Sequence, residues 1–140
     1  MIPTLGALTG FVSWTLLLLL VMEGMRTQLV ITKAVPANGF VPDNANLSPF
    51  MQRLARAHAN CLEGLPVFGG LMIICLLAGK SSISDPLAYV LLGARIVQSA
   101  IHLWSTSRLA VSARFTAFCV QMFIAAYWAI RLLASVGSGH

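Results

Sequence analysis

The sequence predicts an all-α membrane protein, an antiparallel bundle of four transmembrane helices. Three observations carry this reading. Of the 140 residues, 58% are hydrophobic and only 9% are charged, with a mean hydropathy of +0.84; a soluble domain carries roughly a quarter charged residues. The apolar residues fall into four runs, each close to the ~20 residues that a helix needs to cross hydrocarbon. The breaks between runs are short or rich in turn formers, which favours antiparallel neighbours. The length allows one domain over residues 1–140.

The first helix covers about 5–33, with Glu23, Arg26 and Lys33 marking its exit from the bilayer. The opening Met1-Ile-Pro-Thr-Leu has no basic stretch and no clear cleavage site, so this run is expected to stay as a membrane helix. Residues 34–49 hold Pro36, Asn38, Gly39, Pro42, Asp43, Asn44 and Asn46 and read as a polar loop. Ser48-Pro49 then reads as an N-cap with proline at the first helical position. The second helix covers about 49–79. Pro66 lies well inside it and should bend it or free a backbone carbonyl. A break over 79–86 leads to the third helix at about 86–105, and Thr106-Ser107-Arg108 turns into the fourth at about 109–136. The tail to His140 is expected to fray.

Four spans place both termini on one side. The opposite side carries Arg26, Lys33, Arg53, Arg56, Arg108 and Arg114, against Lys80 and Arg131 on the terminal side. The positive-inside rule therefore makes the long first loop and the third turn cytoplasmic. Trp104 at one interface and Tyr89, Tyr127 and Trp128 near the other fit an aromatic belt. The net charge of +5 is thus read as topology, with no nucleic-acid partner. Cys61, Cys75 and Cys119 each stand alone in an apolar run, which predicts neither disulfide nor metal.

The informative stretch is Arg56-Ala-His-Ala-Asn60-Cys-Leu-Glu63-Gly-Leu-Pro66-Val-Phe68. At about 100° per residue Arg56, Asn60 and Glu63 share one stripe, which Gln52 and Arg53 extend. An ionisable group at the edge of hydrocarbon is costly unless paired or facing a cavity, so the stripe is expected to point into the protein. The third helix has a matching stripe of Arg95, Gln98, Ser99, His102 and Ser105. A lone arginine at mid-span costs at least ~2.5 kcal/mol, so a Glu63–Arg95 ion pair is expected. That pair could merely pin two helices together. Arg56, Arg95 and Arg114, with Arg26 and Arg108 near, outnumber the one carboxylate. Such a surplus suits an anionic ligand, because guanidinium forks match carboxylates. Asn60 and Gln98 add neutral hydrogen-bonding groups, and Glu63 could take an ammonium from the same ligand. Alternatively, Arg108 and Arg114 serve only the charge asymmetry. His58 lies about 160° from the stripe and reads as an interface residue. His102 is better placed to donate a hydrogen bond or a proton. Met72, Met122, Phe115, Phe118 and Phe123 read as packing or lipid-facing side chains. Four helices hide few polar groups by themselves, so oligomerisation is expected.

Arg56-Ala-x-x-Asn60-Cys-x-Glu63-x-x-Pro66-Val-Phe68 resembles the second-helix signature of the MAPEG family, the membrane-associated proteins in eicosanoid and glutathione metabolism. The four-span layout, the long first loop, Arg95 and the basic third turn match as well, so the likeness covers essentially the whole chain. The resemblance implies a homotrimer that binds glutathione between subunits at the cytoplasmic side. Arg56, Asn60 and Glu63 would hold the charged ends of the tripeptide. Arg26, Arg95, Gln98 and His102 would complete the binding set. Arg114 or Arg108 would stabilise the thiolate, with Arg114 preferred. Catalytic relatives commonly carry a tyrosine on the third helix; here Gln98 and His102 stand at those positions. The resemblance implies a glutathione transferase or peroxidase acting on a hydrophobic small molecule or a lipid hydroperoxide. The rival expectation is a non-enzymatic lipid-binding or scaffold protein of the same fold. No inverted repeat supports a transporter.

Overall fold

The computed structural model describes residues 2–137, all of them helical or in connecting turns. Helix α1 is Pro3–Ile31 and α2 is Pro49–Gly64. The latter runs without a break through a π-helical segment, Leu65–Gly69, into α3, Gly70–Leu77. Helix α4 is Ser81–Trp104 and α5 is Arg108–Gly137. Pro3–Ile31, Pro49–Leu77, Ser81–Trp104 and Arg108–Gly137 are each long and apolar enough to cross a membrane. Beyond Gly137 the expected tail lies outside the described residues.

Local chemistry explains the helix ends. Ser48 caps α2, its hydroxyl accepting from the Met51 N–H at 3.3 Å, with Pro49 at the first position as expected. Ser107 caps α5 in the same way through the Ala110 N–H at 3.2 Å. Two helices close with paired reverse bonds. Lys80 N–H reaches Cys75 O and Gly79 N–H reaches Leu76 O at the end of α3. Ala34 N–H reaches Leu29 O and Lys33 N–H reaches Val30 O at the end of α1. This closure needs a left-handed residue. Gly79 supplies it freely at φ 70°, whereas Lys33 adopts φ 61° against the preference of an L side chain.

The third span begins at Ser81, before the proline at which the sequence places its start. Ser81-Ser-Ile-Ser reads locally as a turn, but tertiary contacts hold it helical. The Asp85 carboxylate accepts from both the backbone N–H and the hydroxyl of Thr4, and Ser84 meets the same hydroxyl. A side chain of α4 therefore satisfies one of the free amides at the start of α1, where a negative charge is favoured. Pro66 produces the predicted disturbance in a specific form, the π-helical segment in which it lies. Such segments insert an extra residue per turn.

Helix α4 is the axis of the bundle, packing against α1, α2, α3 and α5. One apolar cluster lies at the end of the bundle that holds both described chain ends, around Phe11, Phe68, Met72, Leu91 and Trp128. A second, around Leu18, Met22, Leu54 and Cys61, lies towards the loop of residues 34–48. Between the two stands a layer of polar side chains. The backbones of helices α2 and α5 stay more than 8 Å apart, Cα to Cα, among the described residues, and the wedge between them is the site described next.

Candidate functional site: a polar layer beside a lateral cavity

Arg95 is the centre of the polar layer. It is fully buried, and its guanidinium lies 5.5 Å from the Phe11 ring centroid and 5.6 Å from that of Phe68. Nη1 donates to Asn60 Oδ1 at 2.9 Å. Each desolvated aromatic face contributes up to ~2 kcal/mol and a hydrogen bond to a charged group ~1.5–3 kcal/mol. The expected Glu63–Arg95 ion pair is not formed. Glu63 is exposed on α2, and the ion pair recorded among the described residues is Arg26–Glu23 at 3.0 Å. The physical reason is the helix face. Leu54, Ala57, Cys61 and Phe68 fill the interior, so Asn60, at the edge of that face, is the stripe residue that reaches Arg95. Arg56 and Glu63 are exposed in the single chain. The stripe was expected to face inward as a unit; it splits, with Asn60 inward and its two charged neighbours exposed.

Around Arg95 the layer continues through neutral groups. Gln98 Nε2 approaches Asn60 Oδ1 at 3.4 Å, and Gln121 Nε2 donates to Gln98 Oε1 at 2.8 Å and to Ala117 O at 3.1 Å. Cys61 Sγ and Ser99 Oγ are 3.1 Å apart. His102 is buried, and the cations whose fields reach it are Arg114, Arg95 and Arg56. Arg114 is half-buried in α5, whereas Arg108, at the first position of that helix, is exposed. Arg95 Nε and Nη2, His102 Nδ1 and Arg114 Nε are buried with no hydrogen-bond partner among the described residues. The guanidinium donors among them cost roughly 1–3 kcal/mol each and suit an acceptor or an anion, while Gln121 Oε1 is an unpartnered acceptor in the same layer. Arg26 is committed elsewhere: it donates to Asn44 Oδ1, Val41 O, Pro42 O and Glu23, and so ties the first loop to α1.

The wedge between α2 and α5 is a cavity of about 560 Å³, within the ~300–1,000 Å³ range of small-molecule sites. Asn60, Glu63 and Gly64 form its polar mouth, and Val67, Phe68, Phe118, Met122 and Ala125 its apolar wall. Gly64 is where this wall touches the layer behind it. A Cβ there would stand 2.8 Å from Arg95 Nη2 and 3.1 Å from the Phe68 ring. Phe118 and Met122 read as packing residues in the sequence. Gln121 carried a usable signal, an amide in an otherwise apolar span, but Gly64, Val67 and Ala125 carried none. His58 is half-buried on α2 and does not line the cavity.

A family model matches residues 4–134, from buried Thr4 to Ala134 near the end of α5. It is that of the MAPEG family. The chain belongs to the MAPEG family. With its four apolar helices this makes it an integral membrane protein. No curated protein and no solved structure matches the chain. In this MAPEG protein the residues of the second-helix signature divide between two roles. Asn60 and Phe68 hold Arg95 inside the bundle, while Arg56 and Glu63 are exposed, Glu63 at the cavity mouth.

Proposed function

We propose that this MAPEG protein binds glutathione and activates its thiol against a hydrophobic electrophile or a lipid hydroperoxide drawn from the bilayer. The observation that carries this reading is the juxtaposition of a carboxylate-poor layer, Arg95–Gln98–His102–Arg114, with a lateral cavity that is polar at its mouth and apolar along its wall. A zwitterionic tripeptide with two carboxylates suits that charge balance, with Glu63 holding the ammonium and Arg56 a carboxylate. The exposure of Arg56 and Glu63 supports a homotrimer in which a second copy covers them, so that the ligand lies between subunits. The excess of arginines at the α2 start and α5 start supports a cytoplasmic setting for the long loop.

The chemistry needs little from the protein beyond charge and position. A thiol of pKa ~8.5 is mostly protonated at neutral pH, and an adjacent guanidinium lowers that value. Arg114 is the residue assigned to the sulfur, because its field reaches His102 in the layer whereas Arg108 is exposed at the helix start. The thiol proton leaves to solvent. With an electrophile, the sulfur lone pair forms the new C–S bond while the electrophile takes up the displaced electron pair. With a hydroperoxide, the sulfur takes the outer oxygen, the O–O bond breaks, and the other oxygen leaves as the alcohol with a proton. A second glutathione then converts the sulfenic acid to disulfide and water. In both, a wall of apolar side chains aligns the second substrate.

The test is a glutathione titration of the detergent-purified protein, following ultraviolet thiolate absorbance. Saturable thiolate formation that Arg114→Ala abolishes and Arg108→Ala leaves intact is the expected result. Glutathione binding without any thiolate would favour the non-enzymatic alternative, to which the replacement of a third-helix tyrosine by Gln98 and His102 points. No binding at millimolar glutathione overturns the proposal.

A further inference from the structure

Three side-chain amides run in a relay behind the lateral cavity, and its direction is fixed from both ends. Gln121 of α5 is fully buried and donates through Nε2 to Ala117 O at 3.1 Å and to Gln98 Oε1 of α4 at 2.8 Å. Gln98 Nε2 faces Asn60 Oδ1 of α2 at 3.4 Å, and Arg95 Nη1 donates to the same oxygen at 2.9 Å. Which way an amide sits is decided by its neighbours, since one end donates and the other accepts. Here the neighbours leave no choice. A backbone carbonyl only accepts, so the Gln121 atom beside Ala117 O is the nitrogen. The Gln98 atom beside that nitrogen is then the oxygen, and the Gln98 nitrogen turns to Asn60. A guanidinium only donates, so the Asn60 atom beside Arg95 is the oxygen. Both ends therefore require one orientation of Asn60. Its Oδ1 is turned to Arg95, and Nδ2, with no partner among the described residues, is the polar atom left for the cavity that Asn60 lines.

We propose that Gln121 is a positioning residue for this cavity. It orients Gln98, and through it Asn60, so that the mouth presents an N–H donor to a hydrogen-bond acceptor of the ligand, a carbonyl or carboxylate oxygen. Packing does not explain Gln121. Its Oε1 is buried without a partner, which is costly, and a leucine would suit the apolar span better. What the amide contributes is its nitrogen. Gln121 lies outside the cavity lining, although Phe118, Met122 and Ala125 of the same helix form the wall. It acts without touching the ligand, and it joins α5 to α2 through α4 where those two backbones stay apart. The orientation holds for any ligand that brings an acceptor to the mouth; its effect on affinity is measured with glutathione and rests on the reading above.

The chain has four asparagines, Asn38, Asn44, Asn46 and Asn60. Isotopic labelling of asparagine side chains therefore gives a simple amide spectrum by NMR of the detergent-purified protein, in which the Asn60 signal is the one that Asn60→Ala removes. In ligand-free Gln121→Leu this signal should move or broaden, while those of Asn38 and Asn46 in the first loop stay in place. Glutathione affinity, read by calorimetry, should fall about fivefold, the worth of one misoriented hydrogen bond. In the Asn60→Ala background Gln121→Leu should change affinity by less than about twofold, because its effect passes through Asn60. Should leucine fail to pack, Gln121→Met, unbranched and without a donor, carries the same expectations. An unmoved Asn60 signal would overturn the relay. An equal loss of affinity in both backgrounds, or no loss in wild type, would overturn the positioning role and leave Gln121 a packing residue. Absence of glutathione binding by wild type would overturn the glutathione reading alone, with the Asn60 signal still deciding the orientation.

Discussion

Gly64→Ala is the sharpest probe of the polar layer, because its effect can be worked out from distances. The new Cβ would stand 2.8 Å from Arg95 Nη2, whereas ordinary contact begins at 3.4 Å, so the guanidinium must retreat by more than half an ångström. It has little freedom to do so. Asn60 holds Nη1 at 2.9 Å, and the Phe11 and Phe68 rings bracket the group. Overpacking of this kind costs about 1–3 kcal/mol, a fall in melting temperature on the order of 5–10 °C for a chain of this size. Gly93→Ala is the control. It lies inside α4 with nothing within 4 Å of the added carbon, so it should be neutral or stabilise by ~0.5–1 kcal/mol. Arg95→Met completes a double-mutant cycle. The methionine chain fits between the two rings but brings no guanidinium, so it relieves the collision in the Gly64→Ala background and not in wild type. The two changes should therefore couple favourably by about 1–3 kcal/mol in detergent melts. Additivity within ~0.5 kcal/mol, or a Gly64→Ala cost no larger than that of Gly93→Ala, would refute the assignment of Gly64 as the wall against Arg95.

Three further outcomes are expected. Asp85→Ala should lower stability by roughly 2–4 kcal/mol, because it strands the buried Thr4 N–H and removes a charge-assisted bond at the start of α1; Asp85→Asn should cost about half as much, and equal melting curves for all three proteins would dissociate the helix contact from stability. Glu63→Gln should leave the melting of ligand-free protein unchanged, since Glu63 is exposed and unpaired with Arg95, yet weaken glutathione binding about tenfold; calorimetric titration reads the latter, and a destabilised ligand-free protein would return Glu63 to a structural role. Lys33→Gly should raise stability by ~1 kcal/mol, because it removes the left-handed penalty at φ 61°, with thermal melting as the check.

The spans were legible because the bilayer imposes one simple requirement, a run of apolar residues, and each run meets it. The Ser48-Pro49 helix start was legible for a similar reason: its chemistry is local. The α4 start was not, since Ser81 to Ser84 favour a turn by themselves and become helical through Asp85 and Thr4, residues 81 positions apart. The polar layer was half legible. Helical arithmetic correctly grouped Arg95, Gln98 and His102 on one buried face of α4. It could not show that Arg95 prefers an amide and two aromatic faces to the nearest carboxylate, because that choice depends on which side of α2 the apolar residues claim. The commitment of Arg26 to Asn44 was hidden for the same reason: the loop has no periodicity from which to read a partner, although Asn44 is fully buried at φ 56°.

The π-helical segment sets the phase between the two halves of the second span. An extra residue per turn makes the downstream helix lag by roughly the ~100° that one α-helical residue subtends. A helical wheel drawn continuously from Asn60 to Val67 therefore aims Val67 and Phe68 at the wrong neighbours, although both lie on the same cavity as Asn60. In a uniform membrane helix, gaining one residue turns the whole far end towards new partners. Here five residues of backbone absorb that rotation, so the mouth of the cavity and its wall can be altered separately without turning one against the other. Loss of a single residue between 65 and 69 would let the segment close into a regular α-helix and leave Met72 and Cys75 facing the core, whereas the same loss in the regular helix on either side would turn one half against the other.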